Sequence, residues 1–226
     1  MTPSSVPRRA MLRGLAGAGA GAALVSVSGG LLVPAHAAEA ADGAGPAAGT
    51  PGDFPASLNG WPLADRTNAG LGVWSRPVSG AGFTLDIRLG MVETVLVHIV
   101  RRWHYEIETL RKGEVVGWRP IGELDAAAPE SNQASGTAVA IRPDAYVKGV
   151  RGGLTKIQRD TVESILEDVG DVVRWGGHDR TPYEALFYIA TPPSQETRPA
   201  DRPVAELADK LRGWNQTPGL GAGSAA

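Results

Sequence analysis

Few residues in this chain are equipped to do chemistry. It has four histidines and no cysteine, which excludes disulfides and thiolate metal sites. A catalytic zinc would need two imidazoles and a carboxylate, leaving a fourth position for water. His98 and His104 fall on one expected helix, but a metal pair on one helix face needs a spacing of three or four. A spacing of six turns them about 120° apart around the axis, so they cannot jointly hold one ion. His178, Asp179 and Glu184 lie close together in sequence, and a site improvised from these three is one option. They sit in or beside a loop and follow no recognised ligand spacing. The other option is that Glu184 is a carboxylate left in a cleft, hydrogen-bonded or solvated.

One stretch gives these residues a frame. Ser131 to Ala140 reads S-N-Q-A-S-G-T-A-V-A. Further on, Val172-Val173-Arg174-Trp175-Gly176-Gly177 is followed by Pro182-Tyr183-Glu184-Ala185-Leu186-Phe187. Together these segments resemble the D-alanyl-D-alanine carboxypeptidase (VanY-like) zinc peptidase family, whose motifs are S-x-H-x-x-G-x-A-x-D and, after a W-G-G segment, E-x-H. The chain keeps Ser131, Gly136 and Ala138 at the family's spacing. The resemblance runs from about Leu58 to Trp214 and includes Gly60-Trp61-Pro62 near its start. It implies an α+β fold, a small antiparallel sheet with flanking helices, of the hedgehog/DD-peptidase-like type. It also implies a zinc cofactor, and here the chain departs from the pattern. Gln133 and Ala140 stand in the two ligand positions of the first motif, and Leu186 stands where the third ligand belongs. Glu184 matches the family's general base and is left as a vestigial one. The family's transition-state arginine lies outside these motifs and is not assigned.

Each replacement fails as a ligand in its own way. Gln133 offers a neutral amide, Ala140 has no donor atom, and Leu186 is apolar and branched. Without metal, no water is activated for Glu184 to deprotonate. The expectation is therefore a degenerate member with no metal ligand and no cofactor, a pseudoenzyme whose cleft, with Ser131, Gln133, Ala140 and Leu186 as candidates, binds peptidoglycan or its stem peptides. The alternatives are an active D,D-carboxypeptidase or endopeptidase using a rebuilt metal site, and an interaction protein with no surviving cleft function.

Several elements must position these residues. Phe83 to Ile87 alternates apolar and polar, as a half-buried strand does. Val92, Val95, Leu96, Ile99, Trp103, Ile107 and Leu110 form one apolar stripe, predicting a helix over 90–110. Residues 115–121 read as a short strand and turn, 125–132 as loop, and 137–141 as a strand that turns Ala140 inward. Thr155 followed by Gln158 fits a capping box, predicting a helix from 155 to 169 that Gly170 stops. Residues 172–175 and 186–189 read as neighbouring strands, and 204–214 as a terminal helix.

The whole chain has 226 residues, enough for one domain with a proper core. It is 42% hydrophobic and 20% charged, as folded domains are. A net charge of −2 gives no argument for nucleic acid or an anionic membrane. Arg8-Arg9, a Gly/Ala-rich weakly apolar stretch and Ala35-His36-Ala37 occur in the order of a twin-arginine signal peptide over 1–37. The expected route uses the twin-arginine export machinery and ends in a secreted or cell-wall-associated protein with no membrane span. Cleavage removes Arg8, Arg9 and Arg13 and no acid, leaving the product more acidic. Residues 38–57, rich in Ala, Gly and Pro, read as a flexible linker, 58–214 as the D,D-carboxypeptidase-like domain, and 215–226 as a disordered tail.

Overall fold

A computed structural model describes residues 55–64, 72–193 and 202–216. The expected signal peptide, most of the expected linker and residues 217–226 lie outside the described residues. The architecture is α+β, with two small antiparallel sheets and flanking helices. Among the described residues no helix is long and apolar enough to cross a membrane.

The first sheet is a hairpin of β1 (Val73–Val78) and β2 (Phe83–Arg88), in register from Val73↔Arg88 to Val78↔Phe83. The alternation in β2 does what a period of two requires: Phe83, Leu85 and Ile87 are buried between more exposed neighbours. Helix α1 (Met91–Glu106) follows, with Val95, Leu96, Ile99 and Trp103 fully buried. It stops four residues before the apolar stripe does. The Trp103 carbonyl accepts both the Ile107 and the Glu108 amides, and His104 Nδ1 then accepts the Leu110 amide at 3.0 Å. Leu110 is still buried, but on irregular backbone, so the stripe overran the helix.

The second sheet has the order β3-β4-β6-β5, with every neighbouring pair antiparallel. Its strands are β3 (Val115–Val116), β4 (Ala138–Ile141), β5 (Val173–Trp175) and β6 (Leu186–Ile189). The two central strands, β4 and β6, are buried at every position, which explains their unbroken apolar sequences. Phe187 of β6 meets Trp103 of α1 edge to face at 5.9 Å and stacks on Trp175 at 6.4 Å, joining sheet and helix. Helix α2 (Lys156–Val169) starts at the expected cap: Thr155 Oγ1 accepts the Gln158 amide, and Gln158 Oε1 accepts the Thr155 amide. Helix α3 (Pro203–Gln216) buries Val204, Leu207 and Leu211, and runs two residues past the expected end of the domain.

Two expectations change. Residues 129–135 form a 3-10 helix, where loop was expected through 132. Gly136 ends it in the left-handed region, with φ 69°. A Cβ there would lie 2.6 Å from Val73 Cγ2 and 2.8 Å from the Arg88 amide nitrogen. The second change concerns the leading boundary. Residues 55–57, expected in the linker, belong to the fold: Ala56 bridges Pro62, and Ser57 is 5% exposed. Ser57 Oγ donates to Ser135 Oγ, the Leu58 amide to Ser131 Oγ, and the Asn59 amide to Asn132 Oδ1. Asn59 Nδ2 reaches Thr137 Oγ1 and the Ile189 carbonyl, both at 2.8 Å. A polar clasp holds this segment, and an apolar pattern cannot reveal such a clasp.

Candidate functional site

The sheet brings the three replaced positions together. Ala140 and Leu186 are direct partners across β4 and β6, so their side chains share a face. On its other side Ala140 pairs with Val116. Gln133 Nε2 donates to the Val116 carbonyl at 3.0 Å and to the Gly117 carbonyl at 2.9 Å. Gln133, Ala140 and Leu186 are each at most 1% exposed. This set does not fit zinc. The Gln133 amide is occupied by two carbonyls of the chain, and the Ala140 and Leu186 side chains have no donor atom for a metal. Among the described residues no group of three or more His, Asp or Glu side chains could hold a metal ion.

Glu184 stands two residues before Leu186 but turns elsewhere. It is 4% exposed; its Oε1 accepts the Gly152 amide and its Oε2 the Gly153 amide, each at 2.8 Å. Its own carbonyl accepts Trp175 Nε1 at 2.8 Å. Only glycine fits at 153, because a Cβ would lie 3.0 Å from Glu184 Oε2 and 2.8 Å from Tyr146 Cδ1. A carboxylate holding two backbone donors acts as an anchor. The loop it anchors has further ties. The Gly149 amide donates to the Pro182 carbonyl at 2.7 Å, and the Arg151 guanidinium bonds the carbonyls of Gly177 and Asp179 at 2.7 and 2.8 Å.

The other candidate groups are engaged separately. His178 Nε2 lies 2.9 Å from Glu163 Oε1 of α2, and its ring meets Trp175 edge-on at 5.0 Å. Asp179 accepts the Tyr188 hydroxyl at 3.0 and 3.3 Å. Burial pushes the Asp179 carboxyl pKa up. Burial, with Asp179 beside it, pushes the Tyr188 hydroxyl up to about 12. His104 caps the end of α1, as described. His98, 12% exposed, has Nε2 3.5 Å from Asp168 Oδ2, and burial lowers its pKa. The improvised trio of Glu184, His178 and Asp179 is thus split among a loop, a helix and a tyrosine.

Next to the replaced positions lies a cavity of about 550 Å³. Of the four cleft candidates, Leu186 is on its wall. Ser131 is not on the wall: it is fully buried, and its hydroxyl accepts the Leu58 amide. Gln133 and Ala140 are also absent from the wall and sit beneath the sheet surface. The cavity's polar character comes in part from Glu130, Lys148 and Tyr183, of which only Tyr183 falls in a motif segment. Glu130 on the 3-10 helix and Lys148 on the anchored loop pair at 2.7 Å, and Tyr183 lies beside them. Burial first, and the Glu130 charge second, raise the Tyr183 hydroxyl pKa, while Arg119 opposes the shift. Glu130 directly precedes the Ser131 motif and Tyr183 directly precedes Glu184 in the second segment, whereas Lys148 has no such signal. Glu184 accepts two backbone amides, and the Glu130–Lys148 pair is a charged contact on the cavity wall. In comparison with known proteins, no family model matches the chain, and neither a curated protein nor a solved structure matches it.

Proposed function

We propose that the protein is an exported, catalytically inactive member of the D,D-carboxypeptidase type, and that it binds peptidoglycan stem peptides in the cavity beside Leu186. One observation carries this reading. Three positions drawn from two motifs lie close together next to a cavity of about 550 Å³: Ala140 and Leu186 pair across β4 and β6, and Gln133, on the 3-10 helix, bonds the Val116 carbonyl of β3, the residue that pairs with Ala140 on its other side. Unrelated coincidences of spacing have no reason to converge in this way. The volume lies in the range of small-ligand sites. The antiparallel sheet of four strands with helices beside it is consistent with a DD-peptidase-like fold.

Inactivity follows from the side chains. Gln133 is tied to β3, Leu186 fills the third ligand position, and Glu184 holds Gly152 and Gly153. The three positions supply no ligand for a metal that would activate a water, and the Glu184 carboxylate is engaged by two backbone amides. Export rests on the Arg8-Arg9 pair and the Ala35-His36-Ala37 cleavage site. The test is co-sedimentation of the secreted protein with isolated cell walls, accompanied by a search for released D-alanine. Binding without release is expected. No sedimentation above a control protein would instead favour an interaction protein that makes no use of the cavity.

A further inference from the structure

We infer that the cavity at Leu186 selects zwitterionic ligands, segments carrying an ammonium and a carboxylate together, and that such a ligand enters by exchanging partners with the Glu130–Lys148 ion pair. This rests on the reading of the cavity as a peptide site and names the chemistry that site would recognise.

The two charges belong to different walls, and each wall is held independently. Glu130 is on the 3-10 helix whose residues Ser131, Asn132 and Ser135 are clasped by Ser57, Leu58 and Asn59. Lys148 is on the loop tied down through Gly149, Arg151, Gly152 and Gly153. Their contact at 2.7 Å therefore links two supported walls of the cavity. Both are partly withdrawn from water, with side chains 14% exposed for Glu130 and 35% for Lys148. Leaving Glu130 without a partner is costly, and leaving Lys148 so costs less, because about a third of its side chain still meets water.

That cost determines which ligand fits. An anion that takes Lys148 strands Glu130, and a cation that takes Glu130 strands Lys148. A neutral ligand leaves the pair closed and gains nothing from it. A zwitterion gives each residue a new partner at once, so no charge is left uncompensated. The rest of the rim has both signs as well, with Asp125 and Asp179 against Arg180. The apolar part of such a ligand has Leu186, Ala128 and Pro129 to lie on. The cavity volume suits a group of dipeptide size.

The experiment titrates the full secreted chain with D-alanyl-D-alanine and with its N-acetyl, C-amide and doubly blocked forms, following the Leu186 methyls and the Lys148 amide by NMR. The free dipeptide is expected to bind about tenfold or more tightly than any blocked form, and to lose that advantage in high salt. Lys148→Met should shift the preference to the cationic C-amide, and Glu130→Gln to the anionic N-acetyl form. Both variants remove charge with little change of shape, and circular dichroism reports whether they fold. Equal binding of all four forms, no binding of any, or variants that keep the wild-type preference would overturn the inference. Co-sedimentation with cell walls separates the two claims. Wall binding without charge selection removes this inference and leaves the proposed function. Charge selection without wall binding does the reverse.

Discussion

Two parts of the same short stretch behave in opposite ways. Residues 131–140 form a dry region: every one is buried, the Gln133 amide is matched by two carbonyls, and Ala140 faces Leu186 across the sheet. Residues 125–130, just before them, line a cavity with charge in it, ending in the Glu130–Lys148 pair. In the first region polar groups are satisfied internally and have nothing left to offer a ligand. In the second, Asp125 accepts the Ala127 amide, and Glu130 pairs with Lys148 from another loop. Residues 131–140 of the first motif are thus closed in, while the cavity is lined by the residues just before them together with Tyr183 and Leu186 of the second segment.

The contrast can be broken most severely at Gly136. Gly136→Ala puts a Cβ against Val73 and the Arg88 amide at a left-handed φ, and should cost about 3 kcal/mol, read by denaturant unfolding. Leu186→His tests the dry side directly. A polar ring would replace a fully buried side chain, with an expected loss of about 2 kcal/mol or more. Combining it with Gln133→His and Ala140→Asp sets ligand-type side chains at two facing sheet positions and on the neighbouring 3-10 helix. Elemental analysis should then find zinc in the triple variant and none in the wild type. Weak binding is expected, because groups that orient metal-bound imidazoles are not kept in place once the ligands are lost.

Glu184→Gln probes the link between the two regions. It keeps one acceptor for Gly152 or Gly153 and sets an NH2 group against the other amide. The cost should be about 1–3 kcal/mol, with faster hydrogen exchange at those two amides. A Glu184 with freedom to act as a base would leave that exchange unchanged. The smallest effect concerns pH. His98 has its pKa lowered by burial, helped by Arg102 and Arg101 and opposed by Asp168. Its folded value lies below the unfolded value of about 6.5, so the unfolded chain binds the proton first as pH falls. The stability due to neutral His98 is thus present above about pH 6.5 and declines below it, down to the folded pKa. His98→Gln should flatten that part of a stability–pH curve.

How much of this was legible in the sequence depended on the kind of signal. Local periodic signals held: the alternation of Phe83, Leu85 and Ile87, the Thr155–Gln158 cap, and the pairing of residues 173–175 with 187–189. The end of α1 was misread because Leu110 continues the stripe, whereas the Trp103 carbonyl and His104 Nδ1 end the helix. The Ser57–Asn59 clasp was missed because it is polar and joins residues more than 70 apart. Motif spacing singled out Ala140 and Leu186, which meet on the sheet, and Gln133, which bonds β3 from the 3-10 helix, but it does not mark where the cavity runs. Ser131, Gln133 and Ala140 are closed in, and the pair at the cavity, Glu130 and Lys148, has no spacing that marks it. Only the fold brings those two residues together.

The central claim is that the protein binds cell-wall peptides without cutting them and without metal. The most direct measurement incubates the secreted wild type with isolated cell walls, with chelator or with added zinc, and reads the sedimented protein and the free D-alanine together. The account predicts the same sedimentation in both conditions, above a control protein, and no D-alanine in either. Zinc-dependent release of D-alanine, or no sedimentation above the control, would contradict it.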